Sequence, residues 1–359
     1  MNKLNALVLL AALGAACTDN PVVGPSQTMT GGDTNGPVVA MTRNMYIGAD
    51  VDRVIAALSG LSGEDPQVAL AAVLQEFVAT DLPARLQALA AEIARERPHV
   101  VGLQEVSSLA VNLPPEFGFP ALQADFLNGL IQALALHGLS YHTVSNLNFQ
   151  FSLLGGGIGL GDRDVMLVNS ALPLLDHANG TYSCPSLCIP VPGLGTLSRG
   201  WVRATTQIGS RTVTFVSTHP ESGDQLQIAQ LRAGQMQELV ASLSTVSRPV
   251  VLMGDLNDTP GSPMHQVLLG AGFVDVWASI GNGSGFTCCH ATNLQSGGLS
   301  KRIDYVMVRG GFLTGNESVV QGGRIKVIGE SVNEKVAGAF GAIWPSDHGG
   351  VVVSLPPAR

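Results

Sequence analysis

Six times along this chain, a short apolar run of the kind that forms a buried strand ends on polar residues able to do chemistry. Thr42-Arg43-Asn44 closes the run that begins at Val38, and Gln104-Glu105 closes the run from His99. Ser217-Thr218-His219 ends a third, and Gly254-Asp255-Leu256-Asn257 follows Pro249–Met253. Arg302-Ile303-Asp304-Tyr305 and Ser346-Asp347-His348-Gly349 complete the set. A strand end is a rigid place from which to present a reactive group, and six such ends can converge on one cleft.

Helical spacing alternates with these runs. Apolar residues recur at that spacing over Gln67–Val78 and Leu82–Glu96. In the second, Leu82, Leu86, Leu89 and Ile93 form a stripe, and Pro98 marks its end. Leu226–Leu243 reads as a long helix, with Ile228, Leu231, Met236 and Leu239 roughly on one face. Asp164–Asn169, Trp201–Ile208, Val213–Thr218, Val250–Met253 and Ile303–Val308 read as strands. Strands and helices intermix, so the fold class is α/β or α+β in layers, with one domain spanning 37–357.

Each polar segment alone has a plain structural reading. Glu105 serves as well for a surface ion pair, and His219 for a satisfied core histidine. Asp255 and Asn257 suit a turn, because Asp and Asn bond their own backbone. Asp304 and Asp347 suit caps of a strand end. The order and combination weigh more. Together they resemble the endonuclease/exonuclease/phosphatase superfamily, which includes DNase I-like nucleases, exonuclease III-like enzymes and neutral sphingomyelinases. The resemblance runs from Asn44 to His348, and the Gly-Asp-Leu-Asn, Ile-Asp-Tyr and Ser-Asp-His motifs are its more specific parts.

The resemblance implies a DNase I-like four-layer αββα sandwich of two packed mixed sheets, with the cleft at one edge. It also implies roles. Glu105 matches the principal metal-binding carboxylate, and Asn44 and Asp347 match residues that help hold the metal or its waters. His348 matches the general base and Asp304 the carboxylate that supports it. Asp255 and Asn257 match residues that position the nucleophile, stabilise the phosphoryl group or assist the leaving group. His219 matches a donor to a phosphate oxygen. The chemistry stands without the family: a phosphodiester repels hydroxide until its non-bridging oxygens are neutralised, and a carboxylate-paired His titrates near neutrality. Oxygen ligands suit Mg²⁺, or Mn²⁺ or Ca²⁺. Pro220 after His219 departs from the commoner Leu of the family. Arg163, near the family's phosphate-contacting aromatic, serves equally as a phosphate contact or as the partner of a surface carboxylate.

The N-terminus points to export. Lys3, the apolar run Leu7–Leu13, and the small Gly14, Ala15 and Ala16 form a secretory signal too short to span a bilayer. Cys17 directly after them resembles a bacterial lipobox cysteine, although Leu13 sits one place early; ordinary signal cleavage with Cys17 incidental is the alternative. Residues 18–36 are rich in Pro, Gly, Thr, Asp and Asn and read as a flexible tether. The expected location is the bacterial cell envelope, through an N-terminal lipid anchor, or the secreted fraction, as a monomer. In an oxidising compartment Cys184, Cys188, Cys288 and Cys289 suggest disulfides. Cys184 with Cys188 would staple a small loop, Cys288 with Cys289 would bridge neighbours, and cross-pairing stays open.

The substrate expectation is a phosphodiester, either a phospholipid head group or nucleic acid. Against 27 acidic residues the chain has only 19 Lys and Arg, and no basic run suited to a phosphate backbone. The Ser198-Arg199-Gly200-Trp201 segment and the Arg232, Gln235, Glu238 spacing look more like the sphingomyelinase and general phosphodiesterase branches. The apolar stretch Phe149–Leu160 reads as two core strands around a glycine turn, or as an exposed hairpin that touches membrane. The rival readings are an extracellular nuclease and a non-catalytic binding protein on the same scaffold.

Overall fold

The computed structural model describes residues 36–356 except 59, 61, 247–248 and 315–318. The expected signal peptide, Cys17 and all but the last residue of the 18–36 tether lie outside the described residues.

Side chains that alternate along extended chain build the layers. On the strand Val38–Asn44, Val38 and Ala40 enter one apolar cluster while Met41 enters another. The neighbouring strand Val100–Gln104 divides in the same way, Val100 to the first cluster and Val101 and Leu103 to the second. These two strands pair in parallel, and they sit inside a sheet of 8 strands. Its order is Arg324–Ile328, Gly350–Leu355, Val38–Asn44, Val100–Gln104, Ile158–Asn169, Ser108–Val111 and Leu122–Asp125, with Tyr141–Leu153 also paired to Ile158–Asn169. A second sheet of 6 strands runs Val274–Asp275, Asp304–Arg309, Val250–Asp255, Arg211–Thr218, Gly200–Ile208 and Leu174–Thr181.

The inner layer is formed by Val38, Ala40 and Val100 from the first sheet with Val202, Phe215, Val251 and Met253 from the second. Outside the first sheet, Met41 and Leu103 pack with Leu86, Leu89 and Ile93 of the helix Leu82–Glu96. Outside the second, Val216, Leu252 and Met307 pack with Met236 and Leu239 of Leu226–Ser242 and with Met264 and Leu268 of Pro263–Gly270. Helix, sheet, sheet and helix are the four layers expected of a DNase I-like α/β sandwich. At about 25 cal/mol per Å² of apolar area removed from water, these layers supply most of the drive to fold.

Helix boundaries follow local chemistry. Asp65 Oδ1 accepts from the backbone N–H of Gln67 at 2.8 Å and of Val68 at 3.2 Å, and Pro66 opens the helix Pro66–Ala79. Leu82–Glu96 ends at Arg97, which turns left-handed (φ 46°) just before Pro98. The Phe149–Leu160 stretch forms the two core strands of the first reading. Phe151, Ile158 and Leu160 are buried, and of the large apolar side chains in the stretch only Leu154 at the turn is exposed. The edge strand Leu174–Thr181 carries no apolar alternation in sequence, since most of its side chains face solvent. The structure joins Cys184 to Cys188 and Cys288 to Cys289.

One glycine decides how the second sheet ends. Gly254 has φ 152°, and a Cβ there would lie 2.0 Å from the carbonyl oxygen of Thr218. Backbone cannot yield as a side-chain tip can. Gly254→Ala is expected to cost about 3 kcal/mol, read as a lowered urea midpoint at unchanged m-value; an unaltered midpoint would refute this close-approach account.

Candidate active site

The last residues of strands from both sheets meet at one edge. Asp255 and Asp304 are direct cross-strand partners in the antiparallel pair Val250–Asp255 with Asp304–Arg309. Like charges facing each other in this way destabilise a ladder. The imidazole of His348 answers them: its Nδ1 lies 2.9 Å from Asp304 Oδ2 and its Nε2 lies 3.6 Å from Asp255 Oδ2. Burial alone would lower His348, but Asp304, Asp255 and Asp347 outweigh it and hold the imidazole well above its ordinary range. Asp255 stays below the usual carboxylate range despite its burial, chiefly through His348 and His219. Burial pushes Asp304 up, against the pull of His348.

Asn44 joins the two sheets at this edge. Its Oδ1 accepts from the backbone N–H of Tyr46 at 2.8 Å, which fixes the amide's orientation. Its Nδ2 then donates to Glu105 Oε1 at 2.9 Å and to Asp255 Oδ2 at 3.0 Å. Glu105, at φ 55°, also accepts on Oε2 from the backbone N–H of Ile47 at 2.9 Å. Asp347 lines the same cavity as Glu105, and burial pushes its carboxyl up to about 6. On the far side of Asp255, His219 Nε2 lies 3.4 Å from Oδ2 and 2.9 Å from Asn257 Nδ2. Asn257, left-handed at φ 55°, donates its backbone N–H to Asp255 Oδ1 at 2.9 Å and its Nδ2 to Pro220 O at 3.1 Å. All eight residues singled out in the sequence therefore stand in one connected cluster.

The cavity beside it has a volume of about 240 Å³ and is lined by Glu105, Asp347, Tyr46, Asp162 and Leu197, with Arg199 as the one cation among its described lining residues. A groove of about 780 Å³ along the helix Pro66–Ala79 is larger, but it shares no lining residue with the cluster, so chemistry is assigned to the smaller. Glu105 and Asp347 offer hard oxygen donors that suit Mg²⁺, and their mutual repulsion raises Asp347. Asn44 acts on that pair by steering Glu105. Arg163 is drawn into an ion pair with Asp125 at 3.0 Å and donates to Val106 O at 3.2 Å.

Several supports were not read from the sequence. Arg43 holds Glu92 at 3.0 Å and donates Nη1 to the carbonyl of His348. Arg85 donates to Pro345 O at 3.0 Å and to the carbonyls of Met45 and Tyr46. Both Arg85 and Glu92 sit on the apolar stripe of their helix, and a charged residue in such a stripe is the signal that marks a buried clamp. Arg199 pairs with Glu221 at 3.1 Å and brings Nη1 to 3.4 Å from His219 Nδ1. Thr287 Oγ1 accepts from the backbone N–H of Ile303 at 3.1 Å and of Asp304 at 3.0 Å. No spacing rule points to it.

The sequence profile of the Endonuclease/Exonuclease/phosphatase family matches residues 74–348. The chain belongs to that family. Its members are hydrolases of phosphate esters, generally dependent on a divalent metal. Family proteins of solved structure share the fold. One from Leptotrichia buccalis is 16% identical (TM-score 0.56; 89% of this chain and 99% of that one covered). One from Beutenbergia cavernae is 21% identical (TM-score 0.54; 90% and 72%). A Bacteroides thetaiotaomicron protein described as a mannosyl-6-phosphatase is 13% identical (TM-score 0.54; 89% and 99%). A search of curated proteins found no match.

Within this family member, Asp164 is a buried carboxylate outside the cluster. Neither of its oxygens has a hydrogen bond of proper geometry, although Asn148 favours the charged form, and burial pushes the group up to about 8. Between about pH 4 and pH 8 the folded protein keeps a proton there that the unfolded chain has lost, so stability falls as pH rises. Asp164→Asn removes that dependence. Its melting temperature in chelator is expected to match the parent near pH 4 and to exceed it above pH 8, by an amount on the order of a few kcal/mol in stability. Parallel curves across this range would show that Asp164 is ionised throughout.

Proposed function

We propose that this hydrolase cleaves a phosphodiester with the help of Mg²⁺, or Mn²⁺ or Ca²⁺, and that His348 takes the proton of the attacking water. The observation that supports this most is the Asp304–His348 pair at 2.9 Å. Asp304 holds Nδ1, which keeps Nε2 as the site of proton exchange. Glu105 and Asp347 would hold the cation, which when bound neutralises charge on a non-bridging phosphate oxygen. Asn44 keeps Glu105 in place. His219 and Asn257 donate to the phosphoryl oxygens, and Asp255 positions the water and strengthens the hold of His219 on its proton. Burial and Arg199 lower His219, yet the bond to Asp255 prevails and its affinity for the proton is raised.

We favour a diester with a small or neutral leaving group, such as a phospholipid head group. The cavity carries five carboxylates (Asp50, Asp52, Glu105, Asp162 and Asp347) against Arg199, which Glu221 already neutralises. That lining repels a polyanion and offers little to the dianion of a phosphomonoester. Nucleic acid is the second reading, since a cation on Glu105 and Asp347 reduces the repulsion. The Lys3–Cys17 start supports export to the bacterial envelope with a lipid anchor in the membrane, or secretion, and we propose a monomer.

Bis-p-nitrophenyl phosphate, sphingomyelin vesicles and plasmid DNA, each with Mg²⁺ and with EDTA, test this reading. EDTA is expected to abolish turnover, and His348→Ala to lower kcat about 10³-fold with KM nearly unchanged. Glu105→Gln should instead raise the Mg²⁺ concentration needed for half-maximal rate. A base must be neutral to accept a proton, so the rate should rise with pH as His348 deprotonates. Normal turnover by His348→Ala would remove that residue from the mechanism, and DNA cleavage with intact vesicles would favour the nuclease reading.

A further inference from the structure

Cys288 and Cys289 stand against the proposed base. The short strand Cys288–His290 is tied to the segment that carries His348: His290 N–H donates to Asp347 O at 2.7 Å, and Gly349 N–H donates to Thr287 O at 2.7 Å. Cys289 Sγ lies 3.9 Å from His348 Nε2, and the ligand atoms of Cys288, Cys289 and His348 lie within 4.8 Å of one another. Cys289 is exposed, so a reductant can reach the bond, while Cys288 is buried beneath it.

We propose that the Cys288–Cys289 disulfide, once reduced, becomes with His348 Nε2 a site for a thiophilic divalent cation such as Zn²⁺, and that the cation so bound silences the base. The chemistry selects the ion. Two sulfur donors and an imidazole nitrogen suit zinc, and thiolates do not hold Mg²⁺. The spacing fits too. Bonds of about 2.3 Å to sulfur and about 2.0 Å to nitrogen, at the tetrahedral angle, separate the two donors by about 3.5 Å. Cys289 Sγ stands 3.9 Å from Nε2, and Asp255 Oδ2 stands 3.6 Å from it as a further oxygen donor.

The steps balance. A dithiol reductant gives two electrons and two protons to the Cys288–Cys289 bond and leaves as its own disulfide. The two cysteine thiols, and the His348 imidazolium at Nε2, then release their protons to solvent as the cation binds. Nε2 donates its lone pair to the cation and can no longer accept a proton from water. The oxidised protein has no thiolates to offer, so the same cation leaves it untouched at the base.

This inference rests on the reading of His348 as base, but its first test does not need turnover. The full chain, reduced with dithiothreitol and desalted without oxygen, is titrated with one equivalent of Co²⁺. The reduced protein is expected to show a thiolate-to-cobalt charge-transfer band in the near ultraviolet, and the oxidised protein none. The band should vanish in the Cys288→Ser/Cys289→Ser variant and persist in Cys184→Ser/Cys188→Ser, with circular dichroism checking that both remain folded. No band in the reduced parent, or the reverse dependence on the two cysteine pairs, would overturn the site. In the diesterase assay with excess Mg²⁺, micromolar Zn²⁺ should inhibit the reduced parent at least tenfold more than the oxidised one. It should act equally on both forms of the Cys288→Ser/Cys289→Ser variant. Equal inhibition of reduced and oxidised parent would overturn the silencing of the base, even where the cobalt band is present.

Discussion

Two carboxylates that face each other across a ladder, Asp255 and Asp304, place the first demand on this active-site edge. The imidazole of His348 stands between them, and it relieves the repulsion whenever it carries a proton. The same contact that relieves the repulsion sets the tautomer of the imidazole and raises its affinity for a proton. Structure and proposed chemistry thus draw on one electrostatic arrangement. Its stability is bound to pH, because the gain it brings is present while His348 is charged and is lost as pH rises through its raised folded value.

The protein invests buried charge to hold this edge in place. Arg43, fully enclosed and paired with Glu92, grips the His348 carbonyl, and Arg85 ties the backbone at Met45 and Tyr46 to that at Pro345. Removing one partner of such a pair leaves an uncompensated charge in the interior, at a cost of about 3–5 kcal/mol. These arginines are directed at backbone carbonyls, and so their role is to fix loops whose positions no packing of apolar side chains would determine. Between the sheets, Asn44 bonded to Asp255 and Gln104 bonded to Ser217 at 2.9 Å lock the two halves in one register at the cleft.

Much of the sandwich was legible along the chain because burial writes a period into sequence. The Leu82–Glu96 stripe and the Val250–Met253 run could be read from spacing alone, and the family motifs named all eight clustered residues. Leu174–Thr181 could not be read, since an edge strand with solvent on most of its side chains carries no such period. Thr287 was invisible for another reason: its hydroxyl serves two backbone N–H groups that lie far along the chain, and a lone threonine has no pattern. The Phe149–Leu160 stretch had two readings until packing buried Phe151, Ile158 and Leu160.

Sequence by itself determined the layered α/β class, the polar endings of the strands and the family, because all three depend on residues close to one another or on motif order. Tertiary structure alone decided which partners those polar groups take. Asn44 and Asp255 are 211 residues apart, and Arg43 and His348 are 305 apart. It alone placed Cys289 Sγ beside His348 Nε2, drew Arg163 to Asp125 and brought Arg199 toward His219. Hydrogen bonds and ion pairs act over a few ångströms, and no local rule reports which distant strand ends will come within that reach.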